Sequence, residues 1–142
     1  MVKFVIYGQP KGKGRPRFSR QGTYVKTVTP TDTVNYENLV KIEYGLQTNN
    51  YMFPDGSSLK MEINAYYAIP KSTSNKKRKQ MLEDKLRPTK KPDVDNVVKI
   101  IADSLNKVAY KDDTQITDLV VKKRYSQQPR VEVIISETEE PE

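Results

Sequence analysis

Between Leu59 and Ile69 the segment LKMEINAYYAI sets Leu59, Met61, Ile63, Ala65, Tyr67 and Ile69 at alternate positions, with Lys60, Glu62, Asn64 and Tyr66 among the residues between them. A period of two gathers side chains on one face of a strand and scatters them around a helix. The segment is therefore a half-buried strand, which needs partners along its edges and a layer over its apolar face. VKFVIY, from Val2 to Tyr7, has the composition of one partner, and QITDLVVKKRYS and RVEVIIS of two more. The QQP between those last two runs predicts an antiparallel hairpin.

The covering layer is also legible. TDTVNYENLVKIEYGL, starting at Thr31 or Thr33 and ending near Leu46, spaces Val34, Tyr36, Leu39, Val40 and Tyr44 as an amphipathic helix does, with Thr and Asp in front as caps. A second helix follows PTKKP, capped by Asp95 or Asn96, with Val97, Ile101, Leu105 and Val108 on one face and Val98 and Ile100 beside it. SNKKRKQMLEDKL reads as a short exposed helix or an inserted loop. With 142 residues there is room for one proper core. The expected fold is a single α+β domain spanning residues 1–142, with a mixed or antiparallel sheet of four or more strands and two main helices. The acidic tail from about residue 137 is expected to fray.

What the chain lacks narrows its chemistry. It has no cysteine and no histidine, so disulfides, thiolate metal sites, the usual zinc ligands and Ser/His or Cys/His nucleophile pairs are excluded. Catalysis would rest on Asp, Glu, Lys, Tyr or a metal-activated water. No segment approaches the roughly 20 apolar residues that span a bilayer, and the expected compartment is the cytoplasm.

Charge is distributed unevenly along a chain of net charge +7. The first thirty residues hold Lys3, Lys11, Lys13, Arg15, Arg17, Arg20 and Lys26 and no acid; Lys71 to Lys91 is a second basic run; between them and the C-terminal strands, Asp93 to Asp118 is acidic. Two basic segments together with an acidic one suit a protein that grips phosphates and does chemistry on one of them, although lysine-rich loops also serve plain solubility. The expected DNA contacts are Lys11, Lys13, Arg15, Arg17, Arg20, Lys76, Lys77, Arg78, Lys90 and Lys91. GKGR in the first segment is too short for a phosphate-binding P-loop.

Within the acidic stretch, PTKKP brings the chain to Asp93 extended, since residues before proline avoid the helical region. Asp93 and Asp95 then point to one side, and Asp112 and Asp113 precede a strand able to lie beside the helix. Converging carboxylates repel unless a cation neutralises them, and oxygen-only ligation suits Mg²⁺ or Mn²⁺. Spacing alone is equally compatible with a cap, a turn residue and a loop pair. Lys99 stands on the Asp95 side of the helix, and Asp103, beside Lys99 and Lys107, reads as a structural ion-pair partner rather than a ligand.

Taken whole, KPDVDNVVKIIADSLNKVAYKDDTQITDLVVKKRY resembles the RusA family of Holliday junction resolvases. That family has Asp-x-Asp-Asn at a helix start, a lysine four residues later, an Asp-Ala/Ser-Leu turn, and Asp-Asp-x-Gln-Ile/Val before a strand. The GKGRPRF arm and the KKPD approach are similar to bacterial and prophage members. The resemblance implies a homodimeric, Mg²⁺-dependent, structure-selective endodeoxyribonuclease, with Mn²⁺ as a substitute ion. Such an enzyme resolves four-way DNA junctions by paired incisions in recombination and repair. It implies catalytic acids at Asp93, Asp95 and Asp113 with Asp112 beside them, a metal held among these four, and a functional lysine at Lys99. Two other readings stand beside it: a DNA-binding module with purely structural carboxylates, and a nuclease acting on flaps, forks or duplex.

Overall fold

The alternating segment forms β4 (Leu59–Ala68), an inner strand of a four-stranded mixed sheet, and Leu59, Met61, Ile63, Ala65 and Tyr67 are all buried. Along one edge it pairs antiparallel with β6 (Arg130–Glu137), which pairs in turn with β1 (Val2–Tyr7); along the other it pairs parallel with β5 (Ile116–Ser126). The computed structural model describes residues 1–14, 17–22, 24–28 and 30–138, with the backbone alone for residues 17–21 and 24–28. Arg15 lies outside the described residues, as do residues 139–142 of the acidic tail; Thr138 still donates its N–H to Ser58 O at 2.9 Å.

The expected hairpin between the last two strands is not formed, because β4 lies between them. Ser126 is in register with Ala68 on one side of β4 and Arg130 with Tyr66 on the other, so Gln127, Gln128 and Pro129 carry the chain round the end of β4. Crossing two strand spacings requires about 10 Å, and the four steps from Ser126 to Arg130 reach about 13 Å. A short connection therefore does not imply adjacency. Burial explains the arrangement: β4 and β6 each bury alternate residues completely, whereas no residue of β5 is fully buried. The least apolar of the three takes the edge.

Among the described residues three α-helices accompany the sheet. In α1 (Thr31–Thr48), Thr33, Tyr36, Val40 and Tyr44 form the buried stripe, and Phe4 meets Tyr44 edge to face with ring centroids 5.2 Å apart. Gln47 of α1 also reaches the outer side of β1, accepting from Val5 N at 2.8 Å and donating to Val5 O at 2.7 Å. Those two bonds occupy backbone groups that an edge strand would otherwise offer to another chain. The basic insert contributes α2 (Asn75–Leu82), with Ser74 Oγ accepting from Lys77 N at its start. The N-terminal basic segment folds back as an antiparallel pair, β2 (Arg17–Gln21) with β3 (Tyr24–Val28).

The second main helix, α3 (Val94–Ser104), buries Val97, Ile100, Ile101, Ala102 and Ser104 against α1 and the sheet. It begins earlier than the sequence suggested: the cap is Asp93, not Asp95 or Asn96. Asp93 keeps extended dihedrals (φ −69°, ψ 155°), as the proline-led approach requires, and its carbonyl accepts from Val97 N at 3.1 Å.

Because β4 is an inner strand, Ile63→Ala should destabilise the protein by about 3 kcal/mol in urea unfolding. Leu119→Ala, on the exposed edge strand, should cost about 0.5 kcal/mol or less. Equal costs would contradict this assignment of centre and edge.

Candidate active site

The approach to α3 is held from beneath by the ends of β4 and β5. Tyr67, itself fully buried, donates its hydroxyl to Pro92 O at 2.6 Å, and Lys123 Nζ donates to Lys90 O at 2.7 Å while lying 5.0 Å from the centre of the Tyr67 ring. Lys90 Nζ in turn lies 5.9 Å from the centre of the Tyr125 ring. Burial, and secondarily the nearby Asp93 carboxylate, push the Tyr67 phenol up to about 12, so it remains a neutral donor at physiological pH. Asp93 does not spend its carboxylate on capping; that side chain is exposed at the helix start, as is Asp95 within the first turn. Negative charge is favourable there because the first backbone N–H groups point outward.

A loop closes over this end. Lys13 N donates to Asn96 O, and Gly14 N to Thr33 Oγ1, each at 3.0 Å. A Cβ on Gly12 would stand 2.9 Å from the Cβ atoms of both Asn96 and Pro92, and one on Gly14 would stand 2.6 Å from Thr33 Oγ1. Close approach to two helices, rather than phosphate binding, thus accounts for the two glycines of GKG. Between this loop and the helix start lies an open cleft of about 710 Å³, lined by Gly12, Lys13, Gly14, Lys91, Pro92, Asp93 and Asn96.

A second acidic group stands past the far end of α3. Asp113 N donates to Asn106 Oδ1 at 2.8 Å, and Asn106 Nδ2 lies 3.5 Å from Asp113 Oδ2. Gln115 fixes the turn by accepting from Lys111 N at 3.2 Å and Asp112 N at 3.4 Å, and by donating to Pro54 O and Ser57 O, both at 3.1 Å. Asp113 is raised above the ordinary carboxylate range by burial and by the charges of Asp112 and Asp103, against the lowering effect of the Asn106 bond. Asp103 pairs with Lys13 at 3.1 Å, and Lys13 also meets Glu37 at 3.4 Å. The expectation that Asp103 is an ion-pair partner is met through a residue ninety positions away, not through Lys99 or Lys107.

The acids do not converge on one point. Asp95 and Asp103 are eight residues apart on α3, about 12 Å along its axis, and the turn from Asn106 to Asp112 returns the chain only to the last turn of the helix. Among the described residues no three acidic side chains are placed to hold a single ion. The structure therefore brings Asp93 beside Asp95, and Asp112 and Asp113 beside Asp103, with exposed Lys99 on the face between.

Of the expected DNA contacts, Lys11, Lys76, Lys77, Lys90 and Lys91 are exposed, Arg78 is half-buried, and Lys13 is turned onto its two acids. For Arg17 and Arg20 only the backbone, on β2, is described. The insert carrying α2 is tied to β5 through Asp84, which meets Arg124 at 2.8 Å and Arg87 at 3.1 Å. Sequence reasoning did not single out Tyr67, Asn106, Gln115 or Lys123. Only Gln115 carried a local signal, its fixed place in DDTQI.

The family described as Endodeoxyribonuclease RusA matches residues 7–136, covering both acidic groups, the loop, and strands β4, β5 and β6 except Glu137, while β1 falls outside it but for Tyr7. The chain belongs to the RusA endodeoxyribonuclease family. It is also similar to the uncharacterized protein YqaN of Bacillus subtilis (strain 168), 41% identical over 138 residues and 96% of each chain. The strand order β1-β6-β4-β5 and the acids at both ends of α3 are thus features of a RusA-family chain. Among its described residues no helix is long and apolar enough to cross a membrane.

Two predictions follow from the local geometry. Gly12→Ala should displace the loop from α3, because the atoms it meets are side-chain roots; loss of hydrogen-exchange protection at Lys13 N would report this, and unchanged protection would contradict it. The second concerns Asp113, whose proton the folded state holds more tightly than the unfolded chain does. Its contribution to stability falls as pH rises through the shifted pKa and is restored below the ordinary carboxylate range. In metal-free buffer Asp113→Asn should therefore melt above wild type at pH 7, with the gap closing under acid conditions.

Proposed function

We propose that this RusA-family chain is a divalent-metal-dependent endonuclease that resolves four-way DNA junctions, acting as a cytoplasmic homodimer. The observation that carries the proposal is the pairing of exposed or partly exposed carboxylates at both ends of α3 with exposed lysines at the approach, in a chain that lacks histidine and cysteine. Two symmetric incisions require two sites related by a twofold axis, which a homodimer supplies.

Asp93 with Asp95 at one end of α3, or Asp112 with Asp113 past the other, are the residues that would hold Mg²⁺, or Mn²⁺ in its place. The donor set fits: all are hard oxygens, and Mg²⁺ needs only one or two carboxylates when phosphate oxygens and waters complete its shell. Asp113 is raised by burial first and then by the charges of Asp112 and Asp103, and a cation beside it would offset that cost. When bound, such an ion supplies a Lewis acid for the phosphoryl group and lowers the pKa of water. Lys99, one turn beyond Asp95, contacts the scissile phosphate in this reading. Lys90 and Lys91 lead the strand to the cleft, and Lys11, Lys76, Lys77 and Arg78 follow the arms. Arg15, Arg17 and Arg20 complete the grip from the N-terminal segment. Phosphate contacts of this kind give affinity and orientation without sequence readout.

The separation of the two acidic groups favours one alternative, a DNA-binding module with structural carboxylates. The same variants decide between them. Asp95→Asn and Asp113→Asn should each leave four-way junction affinity intact and lower single-turnover cleavage by about 100-fold or more, the scale of losing one group that stabilises transition-state charge. Cleavage at the wild-type rate by both variants would refute the assignment. Tight junction binding by wild type, with no nicked product in Mg²⁺ or Mn²⁺, would establish the module.

A further inference from the structure

Lys13 touches α3 near both acidic groups. Its N–H donates to Asn96 O in the first turn at 3.0 Å, while its Nζ reaches Asp103 in the last turn at 3.1 Å and Glu37 of α1 at 3.4 Å. Gly12 and Gly14 on either side are pressed against the Asn96 and Pro92 side chains and Thr33 Oγ1, so the loop cannot shift without releasing these contacts. Asp103 stands where the helix dipole is negative, and α3 has no basic residue in its last turn. A carboxylate there is unfavourable unless a cation comes from elsewhere. Asp103 also faces Asp113.

We propose that Lys13 is a positioning residue: its ammonium fixes Asp103 opposite Asp113, and its backbone fixes the Gly12–Gly14 wall opposite Asp93, so that one side chain sets the relation between the two acidic groups. This assigns Lys13 away from the DNA-contact set, and it rests on the nuclease reading for its effect on rate but not for its effect on structure. A lysine already paired with two carboxylates offers little net charge to a phosphate, whereas the exposed Lys11 and Lys91 nearby remain available.

Single-turnover cleavage of a labelled four-way junction in Mg²⁺, junction affinity across a salt series, and amide hydrogen exchange without DNA or metal test this on the full chain. Lys13→Met should slow cleavage between about 10- and 100-fold, the range for misplaced support of a reacting group. Its junction affinity should stay within about twofold and its salt slope unchanged, because no phosphate contact is lost. Lys13→Arg should recover most of the rate, and so should Lys13→Met combined with Asp103→Asn, which removes the uncompensated acid. Exchange should quicken at both the 12–14 loop and Asp113 in Lys13→Met. Weakened binding with a salt slope lower by about one and normal cleavage at saturating DNA would instead make Lys13 a phosphate ligand and overturn the proposal. Unchanged exchange at both segments would overturn it too. If wild type cuts no branched DNA, the nuclease reading fails alone and the exchange result still decides the role of Lys13. Should Lys13→Met not fold, Lys13→Gln and the Asp103→Asn single variant carry the same exchange test.

Discussion

Tyr67 ties the fold to the site. Its ring is the last fully buried side chain of β4, and its hydroxyl holds Pro92 O, the carbonyl immediately before Asp93. Strand β4 is positioned by pairing on both edges and by the burial of every second side chain, and this rigidity passes through one phenol to the first acid of α3. Lys123 of β5 repeats the device two residues earlier, at Lys90 O. An acid at a helix cap could pivot with a mobile approach; here the approach is bonded to the sheet at two carbonyls.

The acids themselves are tolerated for different reasons at the two ends of α3. Asp93 and Asp95 lie where the helix dipole is positive and solvent is near, a place that suits negative charge. Asp103 lies in the last turn and Asp112 and Asp113 beyond it, where the dipole is adverse, and Asp113 is raised by burial first and then by the charges of Asp112 and Asp103. Lys13 and Asn106 compensate there, one with charge and one with hydrogen bonds. Burial first, and then the charges of Asp113, Asp103 and Asp112, raise the phenol of Tyr110, whose hydroxyl donates to Ala102 O at 2.7 Å. Neither Tyr67 nor Tyr110 can therefore serve as a base near neutral pH.

Much of this was legible in the sequence because it is periodic or local. Alternation located β4, helical spacing located α1 and α3, and the spacing of Asp93, Asp95, Lys99, Asp112 and Asp113 carried the family resemblance. The misreadings arose where pairing is non-local. Nothing in QQP reveals that the chain passes round the end of β4, and nothing near Asp103 reveals that its cation is Lys13. The convergence of Asp93 and Asp95 with Asp112 and Asp113 followed from spacing on paper, but the length of α3 keeps them at opposite ends. Likewise GKG resembles a fragment of a phosphate loop, while its glycines answer to Asn96, Pro92 and Thr33.

On the function proposed above, this arrangement cuts branched DNA with the help of a divalent ion. The most direct test is single-turnover cleavage by wild type of a labelled four-way junction beside a linear duplex of the same sequence, in Mg²⁺ and in EDTA at moderate salt. The expected outcome is paired, symmetric nicks in the junction that require Mg²⁺, with the duplex left intact. Metal-independent cutting, equal cutting of the duplex, or junction binding without any nick would contradict it.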